Sequence, residues 1–205
     1  MEGSCNNRCH FHIVFLMLVA FTYSSFMESA SAERPAAGHR NTEFIRTSCK
    51  STTYPNLCFS SLAGRASAIG VSAHLLAHAA LSVSLETAQA TSAMMIKVAN
   101  GQGMTQREVG AMQDCVEELS DTVSELRKSL GEIKQLRGRD FDLKKSDIQT
   151  WVSAALTNED TCTEGFSGKF MNGKVKTVVR KKILEVAHMT SNALALINSF
   201  AALHG

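Results

Sequence analysis

The groups in this chain with chemistry to offer are six cysteines, seven histidines and nineteen aspartates and glutamates, and their spacing narrows what that chemistry is. His74 and His78 stand four residues apart, a separation that puts two imidazoles on one helix face and lets them share a metal ion. No glutamate-bearing zinc motif surrounds them and no third ligand is indicated, so the pair reads as polar decoration on a helix. Cys49, Cys58, Cys115 and Cys162 lack the paired close spacing of a structural zinc site, and disulfides are expected of them. A glycine-rich phosphate loop and a G-x-S-x-G nucleophile elbow are both missing. Asp114, Glu117, Glu118, Asp121 and Glu125 fall within about a third of a helix circumference. Carboxylates so placed repel one another unless something binds them, although a solvated helix face shows the same pattern. Arg180-Lys181-Lys182 carries no interleaved aromatics, which makes it a weak nucleic-acid signal. It reads as a solvated face with at most a minor attraction for an anionic polysaccharide. Nothing here looks catalytic; the chain is not expected to be an enzyme, and no cofactor or metal is expected.

The compartment follows from the N-terminus. An apolar stretch from Ile13 to Tyr23 follows a short polar start containing Arg8 and precedes Ala30-Ser31-Ala32, the layout of a secretory signal. The stretch is too short to span a bilayer comfortably, and Ala30 and Ala32 stand where a signal peptidase requires small residues. Residues 1–32 are therefore expected to be a signal peptide, leaving a mature, secreted chain from Glu33 to Gly205 with no membrane association. Cys5 and Cys9 leave with the signal. The four remaining cysteines are an even number in an oxidising compartment, and they allow three connectivities between which spacing does not choose.

Composition sets the class of scaffold that must position these groups. The 205 residues are 44% apolar with a net charge of +2, ordinary values for one soluble domain with a core and unlike those of a nucleic-acid binder. Pro35 and Pro55 are the only prolines, so everything beyond residue 55 is free to be helical. Residues 33–41 carry no periodicity and read as a flexible leader. Residues 42–65 read as a helical hairpin turning at Tyr54-Pro55-Asn56, with Cys49 and Cys58 on either side. From Ala66 to Ala99 one long helix is predicted, with Leu75, Leu76, Ala79, Val83, Ala90 and Met94 repeating one face. Gly101 and Gly103 end it. Met112, Val116, Leu119, Val123, Leu126, Leu130 and Ile133 then recur at alternating spacings of four and three, a heptad seam. A third long helix is predicted from about Ser146, with Ile148, Trp151, Val152, Ala155 and Leu156 on one face and Asp147 in its first turn. Gly165, Gly168 and Gly173 mark the last loop. Val175, Val179, Ile183, Val186, Thr190, Leu194 and Ile197 trace the final helix. The fold class is all-α: an antiparallel up-and-down four-helix bundle over residues 66–205, preceded by a short helical hairpin.

Two stretches, FIRTSCKSTTYPNLCFSSL at the hairpin and SDIQTWVSAALTNEDTCTEGF in the third long helix, resemble the plant family of pectin methylesterase and invertase inhibitors. VAHMTSNALALIN near the end is similar too, and the order of the four cysteines matches. The resemblance implies two bridges, Cys49 to Cys58 and Cys115 to Cys162. It implies a protein that occupies the cleft of its target enzyme, one inhibitor to one enzyme, and excludes the polymer. Two targets are known in the family, pectin methylesterase and acid invertase, on one shared fold. TWVSAALTNEDTC resembles the esterase inhibitors and the pro-regions of the esterases, and the Pro-Lys-Phe element typical of invertase inhibitors is missing, so the esterase is the expected partner. Glu117 and Asp121 on the acidic helix, Thr161 beside Cys162, and Asn158 match the contacting faces. Binding that is tighter at acidic pH, location in the apoplast or cell wall, and at most a weak contact with pectin complete the expectation.

Overall fold

The computed structural model describes residues 33–101, 103–168, 171 and 173–204, so the expected signal peptide lies outside the described residues. Helices begin and end where local chemistry requires. α1 (Glu33–Cys49) and α2 (Pro55–Leu62) form the hairpin, and Pro55 opens α2 at a position where its missing N–H costs nothing. A 3₁₀ turn (Ala63–Arg65) and a single-turn helix α3 (Ala66–Ile69) lead to α4 (Ala73–Ala99), followed by α5 (Gln106–Ile133), α6 (Phe141–Gly165) and α7 (Lys174–Ala202). Thr105 caps α5 reciprocally: its hydroxyl accepts the Glu108 N–H at 3.3 Å while the Glu108 carboxylate accepts the Thr105 N–H at 2.9 Å.

Three boundaries differ from those predicted. Helix α1 reaches back to Glu33 through the stretch read as a leader, because a formed helix extends at one hydrogen bond per residue without a new nucleus. Pro35, in its first turn, is no obstacle. The predicted helix from Ala66 to Ala99 is broken at Gly70, whose φ of 59° disfavours any side chain, and restarts where the Ser72 hydroxyl accepts the Leu75 N–H. Helix α6 begins at Phe141, so Asp142, not Asp147, occupies its first turn.

Four long helices pack as a ring in which α4 touches α5, α5 touches α6, α6 touches α7 and α7 returns to α4. That is the neighbour pattern of the up-and-down bundle predicted from the short loops. The face of α4 is rotated from the predicted one: Leu76 and Ala79 are buried, whereas Leu75 and Ala90 are exposed, and Ala77, Leu81, Ala88 and Met95 fill the core.

The hairpin is fastened by side chains of α2 and α7. The Cys49–Cys58 disulfide closes it, with Cα atoms 5.6 Å apart, and the chain-entropy model gives a loop of this size about 2 to 3 kcal/mol. The Arg46 guanidinium lies over the Phe59 ring at 3.9 Å. Asn192, buried on α7, accepts the Tyr54 N–H through Oδ1 and donates from Nδ2 to the Tyr54 carbonyl, both at 3.0 Å. The Tyr54 ring stacks on His188 at 3.7 Å. One amide side chain thus holds both backbone groups of the turn residue, pairing its N–H and sharing its carbonyl with the Cys58 N–H. Replacing Asn192 with Ala is expected to lower stability by about 2 to 3 kcal/mol, seen as a reduced urea midpoint with an unchanged slope.

Candidate functional site

The second disulfide sets the register of the face that carries the predicted contact residues. Cys115 and Cys162 are bonded, with Cα atoms only 4.6 Å apart and a sequence separation of 47, the pairing implied by the family resemblance. A loop of that length makes the bridge worth about 4 kcal/mol in the chain-entropy model. Since α5 and α6 run antiparallel, one heptad along each from the bridge brings Thr122 level with Ala155. The Thr122 hydroxyl donates to the Ala155 carbonyl at 3.4 Å. A further heptad brings Ser129 level with Ile148, and both are fully buried.

The centre of the α5 seam is therefore Met112, Cys115, Leu119, Thr122, Leu126, Ser129 and Ile133, all buried. Val116, Val123 and Leu130, predicted at that centre, are half-buried flanks. Small polar side chains occupy every second core position because two backbones this close leave no room for leucine. Their spacing of seven from Cys115 was visible; their polarity concealed them.

That register places the predicted contact residues at one level of the bundle. Glu117 and Asp121 are exposed on α5 within two turns of Cys115, and Thr161 is exposed on α6 beside Cys162. Asn158, a turn earlier, is half-buried. The Thr161 hydroxyl donates to the Thr157 carbonyl of its own helix at 2.9 Å. Within the acidic face Glu125 pairs with Lys128 at 3.0 Å, which takes it out of the free carboxylates. Glu118 behaves differently. Partial burial first, then the charges of Asp121, Glu117 and Asp114, hold its carboxyl above the ordinary range. The repulsion predicted for this face is felt at Glu118.

Inside the bundle lies a polar layer that sequence reading missed. The apolar core falls into two clusters, one with Ala88, Leu126 and Val152 and the other with Met95, Leu119 and Ile183. Between them Thr91, Thr122, Glu159 and Thr190 are buried on four different helices. Glu159 is only 1% exposed, and burial pushes its carboxyl up to about 8 against the smaller opposing pull of the Thr190 hydroxyl. The geometry suits the neutral form. The Thr190 hydroxyl has one proton for two oxygens, Glu159 Oε1 at 2.8 Å and the Val186 carbonyl at 3.0 Å. A carboxyl proton on Glu159 closes the first contact and frees the hydroxyl for the second. Glu159 Oε2 has no hydrogen-bond partner among the described residues. It borders a surface groove also lined by Tyr54, Asp160 and His188.

His74 and His78 form no metal site with a third group; among the described residues no cluster of three metal-ligating side chains occurs. The expectation that the pair is polar decoration fails for His74. His74 Nε2 lies 2.7 Å from the Ile133 carbonyl, which can only accept, so that nitrogen carries the proton and ties α4 to the end of α5. Burial, then Lys134 and His74, hold His78 below the usual imidazole range. Of the cluster on α7, the Arg180 guanidinium donates to the Thr163 carbonyl at 3.3 Å and Lys182 pairs with Glu185 at 2.8 Å, leaving Lys181 exposed.

Residues 43–196 match the family model of the plant invertase/pectin methylesterase inhibitors. The chain belongs to that family. Among its relatives is Pectinesterase inhibitor 11 of Arabidopsis thaliana, 43% identical over 195 residues that cover 92% of this chain and 96% of the relative. A 21 kDa protein of Daucus carota is 45% identical over 165 residues, covering 79% and 86% of the two chains. A crystal structure of a mutant pectin methylesterase inhibitor from Arabidopsis shares the fold with a TM-score of 0.60 at 20% identity, over 73% of this chain and 92% of that one. The family segment contains both disulfides, the acidic face and the polar layer.

Glu159 generates a stability prediction. Its folded pKa lies above the unfolded value of 4.5, so the native state binds the extra proton between those values and stability falls as pH rises from about 4.5 to about 8. The slope approaches ~1.4 kcal/mol per pH unit from this group alone. Urea unfolding at about pH 5 and about pH 8 should show Glu159→Gln losing several kcal/mol less than the parent across that range.

Proposed function

We propose that this protein is a secreted inhibitor of pectin methylesterase that acts in the apoplast by occupying the enzyme's pectin-binding cleft with the α5–α6 face, one inhibitor to one enzyme. The observation that carries the reading is near full-length identity of 43% with a pectinesterase inhibitor. The four-helix scaffold clipped at Cys115–Cys162 supplies a rigid edge for such a face. Glu117, Asp121 and Thr161 are the contacts proposed on it, with Asn158 at its margin. An interface of ordinary size buries roughly 1,600 Å² in total, an area that the exposed flanks of two long helices can provide. No helix among the described residues is long and apolar enough to cross a membrane, and residues 1–32 are read as the signal that exports the chain.

The charge on the face gives the encounter its pH dependence. Glu118 already holds its proton more tightly than an isolated glutamate because it is partly buried and three carboxylates stand around it. Bringing this face against carboxylates in an enzyme cleft raises such pKa values further, so binding takes up protons and tightens as pH falls.

Two measurements test the reading. Purified, oxidised mature protein should inhibit pectin methylesterase with a dissociation constant that weakens steadily from about pH 5 to about pH 8, while acid invertase assayed beside it stays active. A flat profile removes the protonation argument; an uninhibited esterase removes the function. Charge reversal at Glu117→Lys with Asp121→Lys should weaken inhibition about a hundredfold or more with an unchanged melting temperature. Full inhibition by that variant would mean the acidic face is only solvated surface.

A further inference from the structure

At the end of the bundle remote from Cys115–Cys162, the α5–α6 turn, the start of α4 and the end of α7 enclose a cavity of about 580 Å³. That volume is within the roughly 300–1,000 Å³ typical of small-molecule sites. Its walls have two kinds of chemistry. Arg137 and Arg139 flank Gly138, whose φ of 80° makes the tight turn that brings both arginines to the wall. Both are exposed, and neither has a carboxylate within ion-pair distance among the described residues. Asp142 is the single carboxylate in the lining, and Lys145 holds it at 2.6 Å. The other wall is made of rings. Phe141 and His204 stack with centroids 5.8 Å apart, Phe200 and His204 tilt together at 4.4 Å, and the His74 ring meets Phe200 edge-on at 5.3 Å.

The surroundings reinforce the positive sign. Residues 134–145 contain Lys134, Arg137, Arg139, Lys144 and Lys145 against Asp140 and Asp142. Five cations face two anions in that segment, in a chain whose overall net charge is only +2. Leaving such an excess unpaired costs stability through mutual repulsion, and a polyanion would relieve it.

We propose that this cavity binds a carboxylated sugar polymer, a polyuronate, with the guanidiniums of Arg137 and Arg139 taking carboxylates and the Phe141 and His204 rings taking the apolar face of a sugar ring. Planar guanidiniums match carboxylates in bidentate geometry. A uronate ring offers a carboxylate and a C–H face together, which neither free phosphate nor a lipid head group does, and this favours the sugar over those anions. The choice of uronate rests on the esterase reading above, because de-esterifying pectin exposes carboxylates on the polymer. The inhibitor would then be held where its target has already worked. The lining of the site shares no residue with the acidic face, and Glu117 and Asp121 stand along the middle of α5 while Arg137 and Arg139 lie beyond its end, so tethering and inhibition use separate surfaces.

The test is calorimetric titration of the mature protein, without any enzyme, using a short oligogalacturonate, the same oligomer fully methyl-esterified, and vesicles containing anionic lipid. The expected result is salt-sensitive binding of the free-acid oligomer only. In Arg137→Ala with Arg139→Ala, both exposed turn residues, that binding should weaken by about tenfold or more while esterase inhibition is unchanged. Lys174→Ala with Lys181→Ala, at the other end of α7, should leave oligomer binding as it was. The proposal is overturned if the free-acid oligomer does not bind, if the esterified one binds equally, if the vesicles bind instead, or if both double variants lose affinity alike. Because inhibition is read separately on each variant, failure here leaves the esterase reading standing, and the reverse also holds.

Discussion

The close approach of α5 and α6 at Cys115–Cys162 is the constraint on which the rest of this structure depends. A Cα separation of 4.6 Å excludes bulky side chains from the line between the two helices, and the next core positions along α5 are Thr122 and Ser129. Large apolar residues are displaced to the flanks, where Val116, Val123 and Leu130 are half-buried against neighbouring helices. The same approach aligns one turn of α5 with one turn of α6. Glu117 and Asp121 therefore share a level with Thr161, although forty residues or more separate them in sequence. A covalent bond inside the seam makes that alignment insensitive to the sliding that helices packed by apolar contacts alone would tolerate.

The polar layer is the second consequence of packing that is not purely apolar. Glu159 and Thr190 meet across α6 and α7 between two apolar clusters, in a place where a leucine would have served stability better. A half-satisfied carboxyl there makes the interior responsive to protons, and it borders the groove between α6 and α7. Charge is also distributed unevenly along the bundle, with unpaired carboxylates near the Cys115 end and unpaired guanidiniums at the α5–α6 turn. A near-neutral chain can thus present two surfaces of opposite sign to two different kinds of partner.

Most of the scaffold was legible in the chain because its signals are local. The glycines at loops and the sustained heptad of α5 each act within one or two turns, and four long helices follow from such signals. The misplaced boundaries have equally local causes. Helix α1 ran further back than its periodicity because propagation needs no apolar face, and α4 broke at Gly70 because a single positive φ outweighs the alanine-rich sequence around it. The candidate site was less legible. Glu117, Asp121 and Thr161 were singled out by likeness to a family, whereas Glu159, Asn192 and the Arg137–Arg139 turn drew no notice. Each of these owes its role to partners far away: Thr190 for Glu159, Tyr54 for Asn192, and the rings of α6 and α7 for the arginines.

By itself the sequence determined that this chain is helical, that its cysteines are suited to disulfides and that it is a relative of enzyme inhibitors, since propensity, spacing and sequence likeness are carried by residues near one another. Only the tertiary structure decided which face of each helix is inside, how deep Glu159 is buried and which charges remain unpaired. Those outcomes depend on the distance between backbones remote in sequence, and that distance is set by the packing of small side chains around one sulfur bridge.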